Sequence, residues 1–155
     1  MKNIKLLWGI IIVLLLIVSV LGFKFVNGSV APSEDDRVAI ILNKDERNFI
    51  LDEMREFLKS VQAVSQAITA KDLEKVARLA TTAGMEAEAN TPGALFRKIP
   101  LGMKKLGFDT RKKFDKIADA AKANQDPLVL RKQLDSLLSN CIACHAAFRL
   151  PEPQE

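Results

Sequence analysis

The sequence predicts an all-α protein: an antiparallel four-helix bundle preceded by an N-terminal transmembrane or signal helix. Three observations lead there. An uncharged and mostly aliphatic run, Leu6–Phe23, opens the chain. Beyond residue 42, apolar residues recur at three- and four-residue steps, the period of a helix, and no strand-like alternation appears. Capping signals and one Pro/Gly-rich stretch then divide this remainder into four helices and a long connection. With 155 residues there is room for one modest domain.

Lys2 and Lys5 precede the apolar run. A cleaved signal usually has an apolar region of about 7–15 residues. Leu6–Phe23 is longer, and at about 1.5 Å of rise per residue it reaches about 27 Å, close to the thickness of a bilayer core. Trp8 at one end, with Phe23 and Phe25 at the other, suits the two interfaces. Lysines on the short side, against Glu34, Asp35 and Asp36 beyond, point the N-terminus inward and the rest to the periplasmic side. Cleavage is the rival reading. Ser29-Val30-Ala31 has signal-peptidase spacing but precedes Pro32, and Val26-Asn27-Gly28 is a poorer site without that obstacle. An inner-membrane anchor is the expectation, and a soluble periplasmic protein the alternative. The divisions are 1–26 as membrane anchor or signal segment, 27–42 as polar linker, 43–150 as the helical domain and 151–155 as a tail.

Asn43, with Glu46 three residues on, makes a capping-box start. Ile50, Met54, Phe57, Leu58, Val61, Val64, Ser65 and Ile68 then share one face. Asp72 opens a second helix with Leu73, Val76, Ala77, Ala80 and Ala83 inward, ending near Asn90. Pro92, Gly93, Pro100, Gly102 and Gly107 make 91–108 a connection with short helical turns at most. Asp109 is expected to cap a third helix carrying Phe114, Ile117, Ala118 and Ala121. Asp126-Pro127 starts the fourth, a capping carboxylate followed by Pro at the first helical position. That helix runs through Leu130, Leu134, Leu137, Leu138, Cys141, Cys144, His145 and Phe148 and stops before Pro151.

The net charge of +4 is mild and carries no nucleic-acid signature. Basic residues gather between Arg97 and Lys116, a run read first as a solvated face and second as a surface steering an acidic redox partner. The chemistry lies in Cys141-Ile142-Ala143-Cys144-His145, since Cys-x-x-Cys-His is a c-type haem attachment signal. On a helix these three side chains share one face. Two thiols can add across the vinyl groups of one porphyrin edge while the imidazole reaches the iron. The rivals fit less well. A thioredoxin-like pair wants a βαβ setting with the motif opening a helix, and here the cysteines fall near a helix's C-terminal end. A zinc site wants a fourth strong ligand, and the chain has no other Cys or His. A plain disulfide leaves the adjacent imidazole without a role.

The lone histidine excludes bis-histidine ligation. Beyond the initiator, the methionines are Met54, Met85 and Met103. In an up-down-up-down bundle Met54 lies about 16 Å along the first helix and His145 about one turn from the end of the fourth, at compatible heights. Met85 also falls at that end, while Met103 lies in the connection. Periodicity alone reads Met54 first as core filler and second as a ligand.

Cys-x-x-Cys-His followed by Phe148 and Arg149, at the extreme C-terminus of a four-helix bundle, resembles the class II cytochromes c. That group comprises the high-spin cytochromes c′ and their low-spin relatives. The likeness covers about residues 44–150, with weaker similarities at Met54-Arg55, Lys98-Ile99-Pro100-Leu101 and Leu106-Gly107 to Phe114-Asp115. It implies one covalently bound haem c, with His145 as the proximal iron ligand and Met54 as the distal one. Five-coordinate iron is the alternative. It also implies that Phe148 packs on the porphyrin and that Arg149 stands near the propionates or proximal imidazole, against the plainer reading of Arg149 as a solvated terminal charge. The expected function is electron transfer, not enzymatic catalysis: a one-haem carrier cycling between ferric and ferrous iron. The alternatives are a cytochrome c′-like protein binding nitric oxide or carbon monoxide, and a haem subunit of a larger membrane complex. Expected partners are redox proteins and, through the N-terminal helix, the membrane. No nucleic acid is expected, and a homodimer or membership of a membrane complex is left open.

Overall fold

A computed structural model describes residues 2–153; Met1, and Gln154 and Glu155 of the expected tail, lie outside the described residues. The fold is mostly helical. Helix α1 (Lys2–Asn27) is exposed along the side chains described, and Ile4–Asn27 is long and apolar enough either to cross a membrane or to serve as a signal sequence. The chain leaves it through Gly28 at φ 67°, a conformation that disfavours any side chain. Gly28 also lies against the backbone of Lys98–Pro100: a Cβ there would strike the Lys98 carbonyl and come within 2.8 Å of the Pro100 nitrogen.

The expected polar linker is not a free tether. Strand β1 (Val30–Ala31) pairs antiparallel with β2 (Val38–Ile40), and β2 pairs in parallel with β3 (Phe148–Arg149), Val38 opposite Phe148. The expectation of no strands thus fails. Strands of two or three residues are too short to display alternation, and β3 comes from the far end of the chain.

Helix α2 (Lys44–Thr69) starts on the expected capping box. Asn43 Oδ1 accepts from the Glu46 N–H, and the Glu46 carboxylate accepts from the Asn43 N–H, both at 2.9 Å. Helix α3 (Leu73–Ala83) is capped by Asp72, which accepts from the Lys75 N–H at 3.0 Å. It stops at Gly84, short of Asn90, and a 3₁₀ turn over Met85–Asn90 continues the path. A Cβ at Gly84 would collide with the Asp115 carboxylate, so glycine here permits close approach of the chain to the next long helix.

The largest departure is in 91–108. It forms helix α4 (Gly93–Lys98) and the beginning of α5 (Leu101–Lys122), whose cap is Pro100 and not Asp109. Proline suits a helix start, where a missing N–H leaves no bond unmade. Gly102 and Gly107 each cost a helix about 1 kcal/mol, and burial of Phe114, Ile117, Ala118 and Ala121 further along α5 offsets that. Asp109 lies inside α5, where it accepts from Asn140 Nδ2 at 2.8 Å and pairs with Lys113 at 3.1 Å. Helix α6 (Pro127–Ala147) begins as expected, with Asp126 accepting from the Leu128 N–H at 2.7 Å. It ends at Ala147, so Phe148 leaves the helix and enters β3.

Helix α3 packs on α2 and α5, and α6 packs broadly on α5 and more thinly on α2. Two apolar clusters result. One joins Val64 and Ile68 of α2, Val76 and Ala80 of α3, Phe114 and Ile117 of α5, and Leu130, Leu134 and Leu137 of α6. The other gathers Ile40, Leu42, Ile50 and Leu95, with Met54, Met103 and Phe148 against it.

Candidate functional site

Between these clusters, along the thin α2–α6 contact, runs a cleft of about 630 Å³. Its walls are Phe49–Val61 residues of α2, Glu88 of the 3₁₀ turn, Leu95 and Phe96 of α4 with Ile99 just beyond it, Met103–Phe114 of α5 and Leu137–His145 of α6, most of them apolar. Helical phase explains why the motif converges there: Cys141, Cys144 and His145 are spaced i, i+3, i+4, and all three line the cleft. Ile142, between them in sequence, forms part of its rim and is 71% exposed, as Leu58 on α2 is at 70%.

Both cysteines are free thiols and half-buried. Burial pushes the Cys141 thiol up, an effect the Lys113 charge only partly counters; burial, reinforced by Cys141, pushes up Cys144. They sit in the last turns of α6, where the helix dipole disfavours a thiolate. Both effects run opposite to the lowered pKa of a thioredoxin-like nucleophile.

Met54 lines the cleft, and so does Met103, which the start of α5 at Leu101 places on a helix wall. Met85 does not; its backbone N–H donates to Asp115 at 3.2 Å. Phe148 and Arg149 lie off the cleft. Phe148 joins the second cluster beside Gly102, and Arg149 reaches Asp35 at 3.4 Å. Both are drawn away because the helix ends at Ala147 and extended backbone turns their side chains onto the β-sheet side. Asp35 also pairs with Arg37 at 2.6 Å, and Arg37 in turn donates to the His145 carbonyl at 3.4 Å. The guanidinium of Arg37 and the Ser33 hydroxyl hold the Asp35 carboxyl far below the usual range.

Two residues of the basic run were not legible as site residues. Arg111 is buried at the cleft wall, its guanidinium donating to Glu88 at 2.7 Å and Glu53 at 2.8 Å and lying 4.8 Å from the Phe57 ring centroid. Lys104 is also buried, with its Nζ 3.9 Å from the centroid of Phe25 and 4.6 Å from that of Phe96. The expectation of a solvated face holds for Arg97, Lys105, Lys112 and Lys116 and fails for these two. The only sequence signal was their three- and four-residue spacing from Phe108 and Phe114, which puts each on the apolar side of α5.

Among the described residues, no three His, Cys, Asp or Glu side chains converge as a metal-binding group. The soft and nitrogen donors that line the cleft are two thiols, one imidazole and two thioethers, while its two carboxylates, Glu53 and Glu88, are both paired with Arg111. Compared with protein-family models, curated proteins and solved structures, the chain matches none.

Proposed function

We propose that the chain is a one-haem c-type cytochrome of the class II kind, an electron carrier on an antiparallel four-helix bundle formed by α2, α3, α5 and α6. One observation carries the reading: Cys141, Cys144 and His145 all line a single apolar cleft whose other walls present Met54 and Met103. Its volume falls within the range of about 300–1,000 Å³ usual for small-molecule and cofactor sites, and its walls suit a flat apolar ring system. The residues fit haem c. Cys141 and Cys144 would hold it by two thioethers, His145 would be the proximal ligand, and Met54 the distal ligand. Haem c bound there supplies a one-electron ferric/ferrous couple.

The chain's own part is to exclude water and hold the donors. Phe57 and Phe114, stacked with centroids 5.9 Å apart, close the cleft on the side of the first apolar cluster. Low polarity around the site and a thioether ligand both favour the reduced state. Arg111 is a buried cation at the wall, and Glu53 and Glu88 keep it fixed. We place the domain on the periplasmic face, held to the inner membrane by α1; release as a soluble periplasmic protein after cleavage is the competing outcome.

Expression with a functioning c-type maturation system tests the reading. Haem should stay with the polypeptide through acid–organic extraction and denaturing electrophoresis, and the double variant Cys141→Ser/Cys144→Ser should release it. Freely extractable haem, or none taken up, sinks the proposal. A high-spin ferric spectrum in the wild type would instead favour a five-coordinate gas-binding protein.

A further inference from the structure

Lys104 is a costly residue to bury, since desolvation disfavours its charge and lowers its pKa. The Phe25 carbonyl is its hydrogen-bond acceptor, at 3.0 Å. Phe25 belongs to the last turn of α1, whose carbonyls need hydrogen-bond donors from outside the helix. Its ordinary helical donor would be the N–H of Ser29, but that N–H goes to the Lys98 carbonyl at 2.7 Å. Lys104 therefore replaces the missing donor and brings a positive charge to the negative end of the helix dipole. The Phe25 and Phe96 rings, centroids 6.2 Å apart, cover the ammonium, and Gly28 presses on the backbone of Lys98–Pro100 with no room for a side chain.

We infer that Lys104, together with the Gly28 turn, clamps the last turn of α1 to α4 and α5, so that the apolar helix and the cleft form one rigid unit. This rests on reading α1 as a retained membrane helix. A leader removed on export has no use for a matched cation, a tailored glycine turn and a strand beyond it. The clamp continues to the motif itself. β1 follows Gly28 by two residues, β1 pairs with β2, and β2 pairs with β3 immediately after α6. Lys104 and Phe96 also line the cleft, so the clamp and the site share a wall. The domain is thereby fixed in height and orientation beside the bilayer and does not swing on a tether.

The test is hydrogen exchange on the full chain in detergent micelles, beside the intact mass of protein extracted from membranes. The mass should retain the residues before Gly28. The amides of Gly28 and Ser29, bonded to the Lys24 and Lys98 carbonyls, should be strongly protected. Lys104→Met, which keeps the volume but removes the donor, should speed exchange in 24–31 by about ten- to a hundredfold. Gly28→Val should do the same from the other side of the junction. Protection of 114–137 should be unchanged in both variants, which separates loosening of the junction from failure to fold. A mature N-terminus between Ser29 and Pro32, peptide-like exchange at Gly28 and Ser29 in the wild type, or no change in Lys104→Met overturns the inference. None of these readouts depends on haem, so failure of the cytochrome proposal would be seen separately.

Discussion

Helices α2 and α6 carry one apolar stripe each, and the two halves of those stripes meet different fates. Toward the α2–α3 turn, Val64, Ile68, Leu130 and Leu134 are sealed against Phe114 and the small residues of α3. Toward the motif, Leu58, Leu138 and Ile142 continue the same pattern yet stay exposed around the cleft. The difference comes from the third and fourth walls. Alanines at 77, 80 and 83 let α3 approach closely at the first end, whereas at the second end Gly84 ends α3 and the chain passes into a 3₁₀ turn. Apolar periodicity marks the face that must be covered. It does not say whether protein or a bound group covers it.

Substitutions separate the two ends, and the largest effect belongs at the sealed one. Leu134→Ala removes a side chain buried in the sealed cluster and off the cleft and should cost about 3–5 kcal/mol in urea unfolding. A much smaller loss would mean that this end is not close-packed. At the cleft, Arg111→Met should cost about 2–3 kcal/mol, less than breaking a fully buried pair, because Glu53 and Glu88 keep 30% and 23% side-chain exposure. Adding Glu53→Gln and Glu88→Gln to it should restore part of that loss, and no recovery would show that Arg111 acts by packing alone.

Met54→Ala bears on the cleft's chemistry more than on stability. In the haem-loaded protein it should turn a low-spin ferric spectrum high-spin, lower the potential and open the distal face to carbon monoxide. Met85→Ala, off the cleft, should do none of these. Met103 shares the cleft with Met54 and cannot serve as a control; a spectrum that follows Met103→Ala would reassign the distal ligand to α5.

Acid should give the smallest effect and show it first at the cleft end. Burial raises the Glu46 carboxyl, but its pairing with Lys98 and the Asn43 N–H outweighs that and leaves it below the usual range. Asn140 and Lys113 lower Asp109, and Arg37 and Ser33 lower Asp35. Carboxyls lower in the folded than in the unfolded chain add stability that is present above about pH 4–4.5 and lost as the pH falls through their folded values. Between pH 5 and 3, exchange corrected for intrinsic rates should therefore quicken in 28–46 before it does in 117–134. The reverse order would place the weak point at the sealed end.

Features that depend on near neighbours were legible in the residues alone. The α1 run, the Asn43 capping box, the Asp72 and Asp126 starts and the convergence of Cys141, Cys144 and His145 on one face all follow from residues within about four positions of one another. Packing between distant segments settled the rest. Whether Pro100 and two glycines interrupt a helix depended on the burial that α5 gains against α3 and α6. The fates of Lys104 and Arg111 depended on a carbonyl in α1 and on carboxylates in α2 and the 3₁₀ turn. Phe148 and Arg149 were drawn off the motif's face by a strand near the opposite end of the chain. A charge or a two-residue strand is stable only with its partner in place, and partners distant in sequence leave no periodic trace in it.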